Sequence, residues 1–138
     1  MDYNNFRFQE YSLTTDQVTV KVVPEYLVED SKPEESLFSY AYTVSIENMR
    51  EEPFQLINRH WKVFENQKQS MDIKGEGVIG VQPLILPRDV FQYSSGVQVK
   101  DSISKMEGAY TCLSKDGNFF DIIIPAFDLI YIEETQLH

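Results

Sequence analysis

Residues 39–47, which read SYAYTVSIE, decide the fold class of this chain. The apolar residues Tyr40, Tyr42, Val44 and Ile46 occupy every second position, and small or polar residues separate them. Side chains of a β-strand alternate between the two faces of its sheet, so this spacing predicts a strand that buries one face and exposes the other. An amphipathic helix would instead repeat its apolar residues every three or four positions.

Further short segments show strand patterns, and turn residues separate them at intervals of roughly 8–12 residues. The first of them begins at Val18, and Pro24 interrupts it. This suggests an edge position or a bulge, because proline cannot donate a hydrogen bond to the ladder. Asp116-Gly117 lies between the last two and is a strong hairpin signal. The Ser-Ser-Gly stretch at residues 94–96 is interpreted as loop. We predict an all-β sandwich or barrel of about seven or eight strands. Besides residues 39–47, the predicted strands are residues 18–22, 54–64, 71–73, 84–86, 90–94, 110–113 and 119–124.

The composition is that of a single globular domain. The chain has 138 residues, of which 42% are hydrophobic and 25% are charged. No apolar run approaches the roughly 20 residues that span a bilayer, so no membrane association is expected. Residues 1–10 lack the basic and apolar regions of a secretory signal. Cys112 is the single cysteine, which excludes an internal disulfide framework and fits a reducing compartment. We therefore expect a cytoplasmic protein.

The net charge of −10 argues against a nucleic-acid partner, since binding a phosphate backbone needs a surplus of lysine and arginine. The charge is unevenly placed. Residues 1–35 hold eight acids and three bases, and five acids but no base follow Lys115, whereas residues 50–105 hold eight bases and seven acids. Any surface that accepts an anion should come from this middle segment. The alternative is that the acidic termini only keep the protein soluble.

The segment most suggestive of chemistry is GEGVIG at residues 75–80, a literal G-x-G-x-x-G. In a dinucleotide-binding fold such glycines open a helix whose N-terminus holds the pyrophosphate, but Pro83 and Pro87 argue against a helix here. Two interpretations stay open. Either the glycines permit a bulge or sheet corner, or their amides form a nest that accepts an anion. For an anion or polyphosphate, the candidate ligand-binding residues are Arg59, Lys74, Gly75, Glu76, Gly77 and Gly80.

Few side chains suit catalysis or metal binding. His60 lies between Arg59 and Trp61, and alternation puts these two neighbours on one face and His60 on the other. A metal site would need further ligands, and nothing in the sequence aligns Asp72 with His60. Cys112 lies mid-strand, where cysteine is typically a small buried hydrophobe. We expect no catalytic residue, no metal and no cofactor, and interpret Trp61 as the core tryptophan of a sandwich strand.

A series of short motifs, none specific by itself, is similar in order and spacing to the ApaG family over residues 18–129. The series consists of Arg59-His60-Trp61, the glycine segment followed by Gln82-Pro83, FQYSSG at residues 91–96, MEGAY at residues 106–110 and IPAF at residues 124–127. FSYAY at residues 38–42 and the Asp116-Gly117 hairpin belong to the same pattern.

This resemblance implies an immunoglobulin-like or fibronectin type III-like antiparallel β-sandwich. It also implies a link to cobalt and magnesium homeostasis, a bacterial gene neighbour that encodes a diadenosine tetraphosphate hydrolase, and protein interaction in eukaryotic relatives. No catalytic residues carry over. The pyrophosphate site suggested for the family falls on Gly75, Gly77 and Gly80. Val81 stands where the family commonly has glutamate, which weakens a metal role there.

The resulting domain prediction is an N-terminal arm or edge segment over residues 1–17, an ApaG-like sandwich over residues 18–129 and a C-terminal extension over residues 130–138. The apolar residues 127–132 are expected to add an edge strand, either within the domain or across a homodimer. As function, we predict a non-enzymatic module that binds an unidentified protein partner. The alternative is a module that binds a phosphate-containing small molecule, such as a nucleotide, at residues 75–80.

Overall fold

The computed structural model describes residues 9–133, and residues 1–8 and 134–138 lie outside its described part. Within that part the chain forms nine strands: β1 (Tyr11–Thr15), β2 (Val18–Tyr26), β3 (Phe38–Asn48), β4 (Phe54–Glu65), β5 (Lys68–Glu76), β6 (Leu84–Ile85), β7 (Val90–Val99), β8 (Ile103–Ser114) and β9 (Phe119–Ile130). A 3₁₀ helix, Pro33–Glu35, lies between β2 and β3. No helix within residues 9–133 is long and apolar enough to cross a membrane.

The strands form two antiparallel sheets. The first has the order β1-β2-β3-β7, and the second has the order β5-β4-β8-β9 with β6 also paired to β4. Their apolar faces pack against each other, so the predicted antiparallel β-sandwich is confirmed. All eight predicted strands are present. The ninth, β1, lies in the segment assigned to an arm or edge, and it pairs with β2 along the border of the first sheet.

Five strands extend three or more residues beyond their predicted limits: β2, β5, β7, β8 and β9. β7 continues through residues 94–96 to Val99, so the Ser-Ser-Gly stretch interpreted as loop is part of a strand. β8 begins at Ile103 rather than Tyr110. Glycine and serine have weak strand propensity, and here the ladders with β3 and β4 override it. The apolar residues 127–130 belong to β9 and pair with β8 inside the domain.

Burial of apolar side chains between the sheets holds the sandwich together. Val20 and Val44 of the first sheet are fully buried, as are Met106, Tyr110 and Leu129 of the second. Each buried side chain of this size contributes roughly 1.5–3 kcal/mol by leaving water.

Trp61 lies in an aromatic cluster that joins the two sheets. Its ring centroid lies 5.2 Å from that of Tyr42, 6.4 Å from Tyr110 and 5.9 Å from Phe127. Tyr42 belongs to the first sheet, whereas the other rings belong to the second. Trp61 is buried, so its interpretation as a core tryptophan is confirmed.

A buried amide organises one end of the sandwich. Asn48 Nδ2 donates to the carbonyl oxygens of Glu52 and Ile85, both at 3.0 Å, and Oδ1 accepts from the Arg50 N–H at 2.9 Å. Because its donors and its acceptor are all used, the amide can be buried without a large desolvation penalty. These bonds fasten the turn after β3 to β6.

The two lateral sides of the sandwich differ. On one side the N–H groups of Ile123 and Asp128 in β9 donate to Thr15 Oγ1 and the Tyr11 hydroxyl in β1, both at 3.3 Å. The rings of Tyr11 and Phe127 also pack there, 6.1 Å apart. We call this the sealed side. On the other side β7 and β5 are the outer strands and a cleft opens between the sheets. We call this the open side.

Candidate binding site

A β-bulge in β4 turns Arg59 toward the first sheet. The ladder between β4 and β8 shifts between Leu56 and Asn58, so Ile57 is an extra residue. Leu56 and Trp61 are therefore both buried, although their odd separation would put them on opposite faces of a regular strand. Arg59 lies two residues before Trp61 and shares its inward face, as the alternation predicts.

The glycine segment leads into a loop that interrupts one sheet edge. Both β5 and β6 pair with β4, and residues 77–83 leave the ladder between them, beside the bulge. We call residues 77–83 the edge loop. The Gly77 N–H and Gln82 Nε2 both donate to the Ile57 carbonyl, at 2.7 and 3.0 Å, and the Leu56 N–H donates to the Pro83 carbonyl at 3.0 Å. Both ends of the loop are thus attached to the bulge.

The edge loop folds back through a tight turn. Val78 and Val81 exchange both backbone hydrogen bonds, at 2.8 and 3.0 Å, and φ is 47° for Ile79 and 75° for Gly80 between them. Positive φ at both central positions is characteristic of a type I′ turn. Val78 is 1% exposed and anchors the loop. Gly77 is required at its position, because a Cβ there would lie 2.0 Å from the Val81 carbonyl oxygen.

This geometry matches the first interpretation of residues 75–80, a turn at the sheet edge. The amides of Gly77, Val78 and Val81 each donate to a backbone carbonyl, which leaves those of Ile79 and Gly80 at the tip. An anion held here would therefore depend on side-chain donors more than on a nest of backbone amides.

Arg59 is the side chain that can supply such donors. Its Nη1 donates to the carbonyl oxygens of Glu76 and Gly77, both at 2.9 Å. The guanidinium lies directly over Gly75, where a Cβ would come within 2.8 Å of it. No carboxylate within residues 9–133 forms a salt bridge with Arg59. The Arg59 charge is therefore positioned by backbone carbonyls and not neutralised by an acid of the described chain.

Arg59 borders a cleft of about 320 Å³ on the open side, between β7 and the edge loop. Aromatic rings, two serines of β7 and the edge loop with its tip form the rest of its lining. Its lining includes Tyr42, Arg59, Ile79, Tyr93, Ser94 and Ser95. Among all the described residues that line the cleft, Arg59 is the only one with a charged side chain.

Burial keeps the tyrosines of this region neutral. The hydroxyls of Tyr93 and Tyr110 hydrogen-bond to each other, and burial raises the pKa of both. Burial also raises the pKa of Tyr42, although a hydrogen bond with Ser95 and the charge of Arg59 act in the opposite direction. One cation among neutral hydroxyls and aromatic rings suits a small anionic group attached to an apolar or extended ligand.

The structure brings together only part of the predicted site. Arg59 and Gly80 line the cleft. Gly75 lies against the Arg59 guanidinium, and Glu76 and Gly77 contribute their carbonyl oxygens to it. Lys74 pairs with His60 in the ladder and so lies on the outer face of the second sheet, away from Arg59.

Tyr42, Tyr93 and Ser95 are cleft residues that the sequence did not predict. Tyr42 was placed only in the core. The signal for the other two is the alternation Phe91, Tyr93, Ser95, Val97, which continues through the segment interpreted as loop. Their position opposite Arg59 depends on how the two sheets are packed, which no local pattern shows.

The other titratable candidates lie outside the cleft. His60 Nε2 and Asp72 Oδ1 are 2.5 Å apart on the outer face of the second sheet, and this hydrogen bond lowers the pKa of the Asp72 carboxyl. Within residues 9–133 no three histidine, cysteine or acidic side chains cluster as a metal site would require. Cys112 is fully buried, as predicted, and burial raises its pKa to about 12.

Comparison with known proteins agrees with the architecture and with the motif series. The model of the ApaG domain matches residues 28–114. Protein ApaG of Pseudomonas aeruginosa strain LESB58 is 43% identical over 116 residues, which cover 84% of this chain and 92% of that protein. Protein ApaG of Acidovorax sp. strain JS42 is 41% identical over 113 residues, 82% of each chain.

A solved structure gives the same result. The crystal structure of a Bordetella pertussis protein assigned as ApaA superposes with a TM-score of 0.79 and 37% identity, covering 82% of this chain and 92% of that one. The family model spans more than half of the chain, and the relatives cover most of it. This chain therefore belongs to the ApaG family.

Proposed function

We propose that this chain is a non-enzymatic module that binds a protein partner along its open side. The outer edge of β7 is the observation that carries the proposal. Val90–Val99 pairs with β3 on one side, and no strand within residues 9–133 pairs with the other. Its ten residues, VFQYSSGVQV, include no charge. Free N–H and C=O groups on an uncharged edge are a template for an added strand.

The other sheet edges are protected in ways that β7 is not. β5 carries four charged residues. β9 contains Pro125, and side chains of β1 bind two of its outer amides. β1 is only five residues long. Proteins commonly protect their edges with charges, prolines, covering groups or short strands. The contrast supports β7 as an interaction surface.

The side chains near the cleft support binding rather than turnover. Ser95 supplies a hydroxyl, whereas that of Ser94 hydrogen-bonds to Thr43 on the outer face of the first sheet. A nucleophilic serine needs a neighbouring general base. His60 is the one imidazole within residues 9–133, and it hydrogen-bonds to Asp72 on the outer face of the second sheet. Cys112 is buried as a thiol.

Site-specific photo-crosslinking in the native host tests the proposal. A photoreactive amino acid replaces Gln92, which is exposed on β7, and the matched control replaces Lys21, which is exposed on β2 of the same sheet. We expect a discrete protein adduct from position 92 and none from position 21. Equal yields from both positions, or no adduct from either, would contradict the proposal.

A second candidate function is binding of a phosphate-containing small molecule, and the uncompensated charge of Arg59 favours it. Calorimetric titration with pyrophosphate, ATP and diadenosine tetraphosphate, with and without magnesium or cobalt, tests this candidate. Arg59→Gln should abolish binding, and Lys74→Gln, on the opposite face, should leave it unchanged. No binding at millimolar ligand would remove the candidate. The link to divalent cations, the cytoplasmic location and a homodimer stay predictions.

A further inference from the structure

Building on the proposed function, we infer that the partner segment is an extended peptide that adds to β7 and places an acidic side chain in the cleft beside Arg59. The edge strand and the cleft then form one composite recognition site. The edge supplies main-chain hydrogen bonds, and the cleft selects one side chain of the peptide.

Because side chains alternate between the two faces along β7, a peptide paired with this strand would place one of its side chains in the cleft. The residues of β7 that face the second sheet are Phe91, Tyr93, Ser95, Val97 and Val99, since they pair with inward residues of β3. A strand added to β7 would lie about 4.8 Å away, and side chains paired directly across it would share the same face. Every second peptide side chain would therefore point between the sheets. The one opposite Ser95 would enter the cleft.

The donors left on Arg59 match a carboxylate. Nη1 is occupied by the carbonyl oxygens of Glu76 and Gly77, and no group within residues 9–133 accepts a hydrogen bond from Nε or Nη2. Nε and Nη2 form one side of the guanidinium fork, which can bind both oxygens of a carboxylate. Although the chain has a net charge of −10, the Arg59 guanidinium is a local positive charge, and it attracts an acidic group and not a basic one.

The position of the cleft favours an internal acidic residue over a carboxyl terminus. Ser95 lies near the middle of Val90–Val99, so a chain that ended there would leave half of the edge unpaired. The peptide side chains two positions before and after the acid would face Tyr93 and Val97. The recognised peptide pattern is therefore an acidic residue with an apolar residue two positions before it and another two positions after it, and any residue between them. A second copy of β7 would not meet it, because β7 contains no acid.

A phage-displayed library of random heptapeptides, selected against the full chain, tests this inference. We expect selected sequences with an acid flanked at ±2 by apolar residues, and amide shift changes in NMR spectra that concentrate on β7. A synthetic peptide with glutamate at the acidic position should bind about tenfold to a hundredfold tighter than its glutamine twin. Arg59→Gln should remove that difference, Arg59→Lys should restore part of it, and Lys74→Gln should leave it intact.

The glutamate-to-glutamine comparison lies in the peptide, so its result does not depend on how a variant protein folds. No acidic preference, an unchanged preference with Arg59→Gln, a preference for a free carboxyl terminus, or shifts away from β7 would overturn the inference. If position 92 still gives a crosslinked partner in that case, only the acidic-strand specificity fails. If no adduct forms either, the proposed function fails with it.

Discussion

Replacing Asn48 by alanine should strongly destabilise the end of the sandwich where β3 and β6 meet. The change removes two hydrogen bonds from Nδ2, to Glu52 and Ile85, and one to Oδ1, from the Arg50 N–H. At about 1 kcal/mol net for each bond, with an added cost for the buried acceptor left unpaired, the free energy of unfolding should fall by about 3–4 kcal/mol. For a domain of this length the melting temperature should fall by about 9–15 °C.

Asn48→Asp keeps the shape of the side chain but replaces the donor by an oxygen. An ionised carboxylate would face the carbonyl oxygens of Glu52 and Ile85, whereas the protonated acid can donate to one of them. The pKa of the new carboxyl should therefore be higher in the folded protein than its unfolded value of about 3.9. The two states then bind protons equally only well below the unfolded pKa of about 3.9. Stability falls as the pH rises through the unfolded pKa to the folded pKa.

Thermal unfolding followed by circular dichroism at pH 4 and pH 7 checks both variants against the parent chain. Asn58→Ala, at an exposed position of β4, is the matched control and should change stability by less than about 0.5 kcal/mol. The reasoning is refuted if Asn48→Ala costs no more than this control. It is also refuted if the deficit of Asn48→Asp is the same at both pH values.

Three further predictions test the edge loop, the core and the outer face. Gly77→Ala places a Cβ 2.0 Å from a backbone carbonyl oxygen and should lower the free energy of unfolding by more than about 2 kcal/mol in denaturant titration. Gly80→Ala meets no atom within 4 Å and should lower it by about 1 kcal/mol because of its positive φ. Equal losses would contradict the loop geometry. Cys112, whose pKa burial raises to about 12, should resist iodoacetamide at pH 8 until the chain unfolds, and rapid labelling of the native protein would refute its burial. The Asp72 carboxyl should titrate by NMR with a pKa below 3.8, so its stabilising effect is lost as the pH falls through that pKa. His60→Gln should raise this pKa, and an unchanged value would show that the hydrogen bond is absent in solution.

The strands could be predicted from sequence wherever alternation is strict. Residues 39–47 alternate strictly, and β3 extends only one residue beyond them at each end. Residues 18–22 alternate as well, and β2 begins at the predicted residue but continues to Tyr26. The limits of β7 and β8 could not be predicted, because serine and glycine interrupt the apolar pattern there. Those segments are strands because β3 and β4 offer ladder partners, and such pairing is a long-range property.

The candidate site was predictable only in its local part. Alternation places Arg59 beside Trp61, and the structure agrees. The bulge at Ile57 left no sequence signal, although it sets which residues of β4 face inward before and after it. Lys74 adjoins the glycines in sequence, yet the one-residue offset between Lys74 and Gly75 in β5 places Lys74 on the face opposite to Arg59. The cleft itself depends on the packing of one sheet against the other.

The sealed side and the open side join the two sheets unequally. Contacts between β1 and β9 hold one border of the sandwich, so any separation of the sheets would begin at β7 and the edge loop. On the open side, the hydrogen bond between the hydroxyls of Tyr93 and Tyr110 joins the two sheets, and a small opening there would break this bond without breaking a strand ladder. The aromatic interior could thus admit a bound side chain while both sheets remain intact.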